Sequence, residues 1–427
     1  MEHTLENQLI RILEAELVKA LGCTEPIAIA YASASARKHL GALPDKVTIF
    51  CSGNIIKNAK AVVVPRTDGM RGIEAAAAVG AAGGDPEKGL EVLTAVTEED
   101  LGTAKRMLRE KVCRAELLET REKLHIVIIM KHESDEVRLE LVRTHLGIVK
   151  IEKNGRTVFE EELKEEEEQT DYSCLSMDAI FEFTKQVDIK KIKGMITEQI
   201  KCNTDIALAG LSGGYGAQIG KTLLQVYGDD VKVRAKAVAA AGSDARMNGC
   251  ELPVVINSGS GNQGMTVSLP VIEYAKTLRS SGEELIRALV LSNLIAIYQK
   301  YRMGRLSAYC GAVSAAAGAG AGITYLMGGN REQIEHTVIN TLGNTSGIVC
   351  DGASASCAAK IASSVDAAIM ASYLSMNGHV FLPGEGIVKE NIQKTVDGVV
   401  TLARDGMRET DEVILNIMVS DCGEQRI

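Results

Sequence analysis

The chain has no tryptophan, five phenylalanines and ten tyrosines in 427 residues. Aromatic platforms on which bases stack are therefore not expected. Positive charge is also short, with 47 Lys and Arg against 56 Asp and Glu, a net charge of −9. No basic stripe stands out, which argues against nucleic acid as a partner. Long runs of Leu, Ile and Val are missing too. The longest low-charge stretch, Leu306 to Asn330, is rich in Ala, Gly and Ser and reads as a buried helix, not a membrane span. Met1 to Glu6 is acidic and carries no apolar signal-peptide core. Neither CxxC nor HExxH occurs, so the common short metal signatures are absent.

Cysteine is plentiful, with ten residues. Without a secretory signal they point to a reducing cytoplasm, where thiols are free, ligating or catalytic. Three of them, Cys310, Cys350 and Cys357, share small-residue surroundings. Seven residues separate the last two, roughly 10 Å along a straight helix and too long for ligands of one compact centre. The chain between them is expected to bend at Gly352, Ser354 and Ser356, leaving Cys350 in a loop and Cys357 at the start of a helix. Thiolates suit soft centres such as iron–sulfur clusters, zinc or copper(I). Three ligands would leave a position open for Lewis-acid chemistry. Buried packing thiols are the alternative that spacing leaves open.

Three further segments stand out: Gly22-Cys23-Thr24-Glu25-Pro26, Asn257-Ser258-Gly259-Ser260-Gly261-Asn262-Gln263-Gly264, and His379 ahead of Pro383-Gly384-Glu385-Gly386. With the Cys310–Cys357 stretch, they resemble the L-cysteine desulfidase family, relatives of the iron–sulfur L-serine dehydratases. The resemblance covers nearly the whole chain, in the same order of motifs. It implies an oxygen-sensitive 4Fe–4S cluster held by Cys310, Cys350 and Cys357, with Cys23 as the base. It implies α,β-elimination of L-cysteine to hydrogen sulfide, pyruvate and ammonia, by a homo-oligomer. L-serine dehydratase is the nearest alternative, although the Gly22–Pro26 motif and the short Cys350–Cys357 spacing look more like the desulfidase branch. A non-catalytic cluster-binding or redox-sensing protein is a second alternative. Some serine dehydratase relatives place a tail cysteine on the open iron, a role Cys422 could take.

The residues support roles for these segments on their own terms. A helix beginning near Thr24-Glu25-Pro26 puts Cys23 at its N-terminus, where the dipole favours thiolate; a capping turn with a packed thiol is the plainer reading. Gly259 to Gly264 fits GxGxxG, yet no second strand with an acidic end follows, so a dinucleotide fold is set aside. A backbone nest for a substrate carboxylate is the functional reading, with Asn257, Ser258, Gly259, Ser260, Gly261 and Asn262 around it and Thr24, Glu25 and His379 as further substrate-binding candidates. A tight turn before a helix is the structural one. Gly220-Lys221-Thr222 lacks the glycine five positions earlier that a phosphate loop needs.

The expected fold is α+β. Residues 1–43 are assigned to a mainly helical catalytic domain together with residues 170–427. Residues 44–165 form an inserted α+β domain with an antiparallel meander. Strands are expected at Lys46 to Cys51, Ala61 to Pro65, Leu124 to Met130, Glu136 to Arg143 and Ile148 to Glu152, with turns at Glu133-Ser134-Asp135 and Asn154-Gly155. The acidic run Glu165 to Glu168 reads as a solvated linker.

Overall fold

The structure, a computed structural model, describes residues 3–22, 24–120, 122–161, 170–304 and 307–420. Cys23, Cys422, Leu306 and the Glu165–Glu168 run lie outside the described residues. The chain is 61% helical with a mixed sheet of six strands, hence α+β and mainly helical.

After α1 (His3–Glu16) come a short strand, β1 (Lys19–Leu21), and α2 (Thr24–Leu40). Next are β2 (Lys46–Cys51), α3 (Gly53–Ala59), α4 (Ile73–Gly83), a 3-10 turn (Pro86–Glu91) and α5 (Glu98–Arg109). β3 (Cys113–Leu117) pairs parallel with β2. β4 (His125–His132), β5 (Asp135–Val142), β6 (Ile148–Lys153) and β7 (Arg156–Glu160) follow as an antiparallel meander, giving the order β3-β2-β4-β5-β6-β7. The β6–β7 turn is Asn154-Gly155, both with positive φ, the conformation that turn sequence favours.

The remainder is helical: α6 (Met177–Gln186), α7 (Ile189–Ser212), α8 (Ile219–Tyr227) and α9 (Val231–Met247) precede β8 (Pro253–Val255). Then come α10 (Gly261–Leu278), α11 (Gly282–Met303), α12 (Gly311–Leu326), α13 (Arg331–Thr345), α14 (Ser356–Met376), α15 (Ile392–Thr401), a π-turn (Leu402–Gly406) and α16 (Arg408–Ser420). α12 is the axis of this part, packed against α10, α11, α13 and α14. Its Ala/Gly composition allows that approach; a β-carbon at Gly318 would overlap the Ser292 carbonyl. Among the described residues no helix is long and apolar enough to cross a membrane.

Two large cores result. One joins α1 to the helical body, and the other joins α2 to the sheet and α3 to α5. The sequence reading groups both N-terminal helices with the helical body; in the structure α1 packs into the helical core, whereas α2 packs into the core of the sheet. α2 packs against α4, β4 and β5. Its small residues are buried on nearly all sides, so no apolar stripe signals which core receives it. Helix α1 ends at Glu16, and Lys19–Leu21 is a strand paired antiparallel with β8. One local expectation also fails. Ala61 to Pro65 forms only an isolated bridge, Val63 to Arg71; Val62 is buried against Met247, and its run is satisfied by loop hydrogen bonds such as Val64 N–H to Met70 O.

Candidate functional site

The N-terminus of α12 is where two of the three cysteines, Cys310 and Cys350, come together. Tyr309 and Val349 form an antiparallel bridge; Cys310 N–H donates to Ile348 O (3.1 Å) and Cys350 N–H to Ala308 O (2.6 Å). Side chains alternate across such a ladder, so Cys310 and Cys350, each one residue beyond the bridge, emerge on the same face. Cys310 caps α12 and is 8% exposed. Cys350 lies in a loop and Cys357 opens α14, the arrangement their spacing predicts. The bend between them turns on Gly352, at φ 95°, where a β-carbon would overlap the Lys57 carbonyl oxygen.

The three thiols feel one another. Burial pushes the Cys310 thiol up to about 12; negative charge on Cys350 and Cys357 adds to this, while the Ala312 N–H and the Lys360 ammonium oppose it. Burial likewise raises Cys357, which Cys350 pushes further and the Ser354 N–H and Lys360 oppose. Lys360 is ion-paired with Asp351 in the same loop. Lys300 of α11 is 2% exposed. Burial lowers its pKa, and charge on Cys350 and Cys310 holds it up.

Two of the other motifs are tied to this centre. A β-carbon on Gly311 would stand 2.5 Å from Cδ of Gln263, so the Gly259–Gly264 segment touches the residue after Cys310. Asn257 and Ser260 exchange backbone hydrogen bonds at 3.1 Å, and Ser258 and Gly259 between them both have positive φ, a tight turn leading into α10. Ser260 caps that helix. The Asn257 amide donates to Asn293 Oδ1 (2.9 Å) and O (3.4 Å), so Asn257 holds the turn to α11 and its donors face the core. Thr24 and Glu25 open α2; Thr24 Oγ1 donates to Glu25 Oε2 (3.1 Å) and Asn58 Nδ2 to Glu25 Oε1 (3.2 Å). Asn58 is next to Lys57, the residue against Gly352, so the start of α2 is tied to the thiol loop through α3.

His379 is not brought to this centre. It is exposed just beyond the C-terminus of α14, whose N-terminus carries Cys357. The 21-residue helix separates them by about 30 Å. The Pro383–Gly386 segment completes the turn after α14, with Leu382 N–H on Glu385 Oε2 (2.7 Å), which accounts for its motif-like look.

Sequence reasoning gave no role to Arg246 or Lys300, and none to Gln263 although the Asn257–Gly264 motif contains it. Arg246 and Lys300 stand close to other polar residues, Asp244 and Gln299, so the sequence does not set them apart.

All eight described cysteines are free thiols. Cys51, Cys113, Cys202 and Cys250 are buried, and Cys174 is half-buried, in keeping with packed thiols. Among the described residues, no three His, Cys, Asp or Glu side chains gather as a single ion would require. A polynuclear cluster asks for a wider set, because each terminal thiolate binds a different iron. Three soft thiols on converging backbone, within reach of two lysines, fit that demand.

Residues 87–416 match the family described as serine dehydratase alpha chain. A UPF0597 protein of Lachnoclostridium phytofermentans is 64% identical, over 97% of this chain and all of the relative. Another, from Desulfitobacterium hafniense, is 50% identical over 97% of this chain and 96% of its own length. A third, from Treponema denticola, is 48% identical over 99% of this chain and its full length.

Proposed function

This chain belongs to the serine dehydratase alpha chain family, and on that premise we propose that it is a carbon–sulfur lyase, an L-cysteine desulfidase. The observation that supports the reading is the Tyr309–Val349 bridge, beyond which Cys310 and Cys350 stand on one face of the ladder. These three thiols would hold a 4Fe–4S cluster. When bound, the cluster supplies an open iron, a Lewis acid for the departing sulfur.

The chain's own residues carry the rest. The α-proton of an amino acid is weakly acidic, so a positioned base must take it. Cys23, immediately before α2, is the proposed base. The proton goes to its thiolate, the Cα–H electrons form the Cα=Cβ bond, and the Cβ–S bond breaks. The products are hydrogen sulfide and aminoacrylate, which hydrolyses to pyruvate and ammonia. The substrate carboxylate is assigned to the start of α10, where first-turn N–H groups have no helical partner. Thr24 and Glu25 would border the amino acid from α2.

Loss of hydroxide from L-serine is the second reading, favoured by the description of the matched family. Anaerobic reconstitution with iron and sulfide, followed by assay of sulfide, ammonia and pyruvate from each amino acid, separates the two. Cysteine turnover at least tenfold above serine turnover is expected, and it disappears on exposure to air. Turnover of serine alone would replace the first reading. Cys310→Ala, Cys350→Ala and Cys357→Ala should each lose iron, whereas Cys23→Ala should keep iron and lose turnover. An active Cys23→Ala enzyme would remove the base assignment. Iron binding with no turnover of either substrate would leave a cluster-binding or sensing protein.

A further inference from the structure

We infer that Arg246, near the end of α9, is the counter-charge for the substrate carboxylate at the start of α10, an inference that rests on the amino-acid reading above. Arg246 is 5% exposed. Its Nε is buried without a hydrogen-bond partner among the described residues, and Nη1 lies 3.4 Å from Asn262 Oδ1. Among the described residues no carboxylate pairs with it. Asp244, two positions earlier, is turned to the Gly220 N–H instead (3.1 Å).

A guanidinium stays protonated at every accessible pH. Burying one without an anion is costly, so natural sites of this kind are completed by a paired or bound negative group. The surroundings say where that group belongs. A β-carbon on Gly261 would overlap Arg246 Nε, so glycine at the first position of α10 lets the guanidinium lie against the helix N-terminus. Cation and helix dipole therefore act on one spot. Gln263, 5% exposed and also with an unpartnered amide oxygen, extends from that spot to Gly311 beside Cys310. A planar carboxylate matches the guanidinium fork, and an α-amino acid so held would have its reacting carbons toward the thiols.

The test uses the full chain and L-alanine, which has the carboxylate and amine but no leaving group, with ethylamine as the probe lacking the carboxylate. Calorimetric binding should be seen for L-alanine and not for ethylamine. Arg246→Gln should weaken L-alanine tenfold or more, and Arg246→Lys less. In reconstituted enzyme the same Arg246→Gln change should raise KM for cysteine tenfold or more with a smaller change in kcat. Should Arg246→Gln fail to fold, Gly261→Ala, which pushes a methyl group into the guanidinium, should give the same loss. Equal binding of L-alanine by wild type and a folded Arg246 or Gly261 variant overturns the inference. So does binding of ethylamine as tight as L-alanine, or no binding of L-alanine with and without reconstitution. Arg246-dependent binding without elimination of either substrate would sink the lyase reading and leave this one standing.

Discussion

Gly311, the first residue of α12, lies directly against the side-chain amide of Gln263 in the first turn of α10. Through this contact the glycine-rich turn abuts the cysteine-bearing N-terminus of α12, although forty-seven residues separate the two positions in sequence.

Gly311→Ala tests that contact. The added methyl would meet Gln263 Cδ, Nε2 and Oε1 at 2.5 to 2.9 Å. The far end of a flexible side chain can move, so the cost in stability should be small, about 1 kcal/mol or less. The displaced amide should matter more to turnover. A fall in kcat/KM of at least tenfold is expected in reconstituted enzyme, with a melting temperature within a few degrees of wild type. Unchanged kinetics would show that the two segments touch without working together.

Gly352→Ala should behave in the opposite way. At φ 95° an alanine is strained, and its β-carbon would overlap a backbone oxygen, that of Lys57. The strain alone costs on the order of 1–3 kcal/mol, and the overlap adds to it. The loop between Cys350 and Cys357 must then leave α3. Lower denaturation midpoint and reduced iron after reconstitution are expected together. A variant that loads iron normally at wild-type stability would contradict the described seat.

A third prediction concerns pH. Burial raises the Cys310 thiol from an ordinary 9.0 to about 12. The proton is therefore bound more tightly in the folded than in the unfolded chain. The associated stability is complete below about pH 9 and is lost as pH rises toward 12. Metal-free protein should lose stability over that interval, and Cys310→Ala should lose less. At pH 8 the thiolate fraction is about a thousandfold below that of an unshifted thiol, so alkylation of Cys310, read by peptide mass spectrometry, should be slow and should accelerate with pH. Lys360 favours the thiolates of Cys310 and Cys357, so Lys360→Ala should slow both. Fast alkylation of Cys310 at neutral pH would contradict the burial described here.

The helical body was largely legible in the sequence, because caps and breakers mark its ends. Asn330 and Gln333 form a reciprocal capping box at the start of α13, as do Ser281 and Glu284 at α11. Strands β4 to β6 of the meander were legible through their alternation, and the turn at Asn154-Gly155 was too, although the β7 strand it leads into was not expected. β3 was not, because its partner β2 is parallel and distant, and a five-residue edge strand carries little pattern. In the site, the bend at Gly352 could be anticipated from a thiol spacing no straight helix serves. Arg246 and Lys300 could not, since their meaning depends on which helix ends stand opposite them. His379 stood out because a helix-terminating turn uses the same Gly, Pro and Glu residues that pocket loops use.

The pairing of Lys19–Leu21 with Pro253–Val255 has a consequence for how the protein is made. The strand just ahead of the Gly22–Pro26 motif can dock only after more than half the polypeptide has left the ribosome. Until then β1 waits without its partner, and loop closure over that distance is slow. Catalytic competence should therefore arrive late in biosynthesis, and a nascent chain halted before residue 253 should keep its N-terminal segment open to proteases.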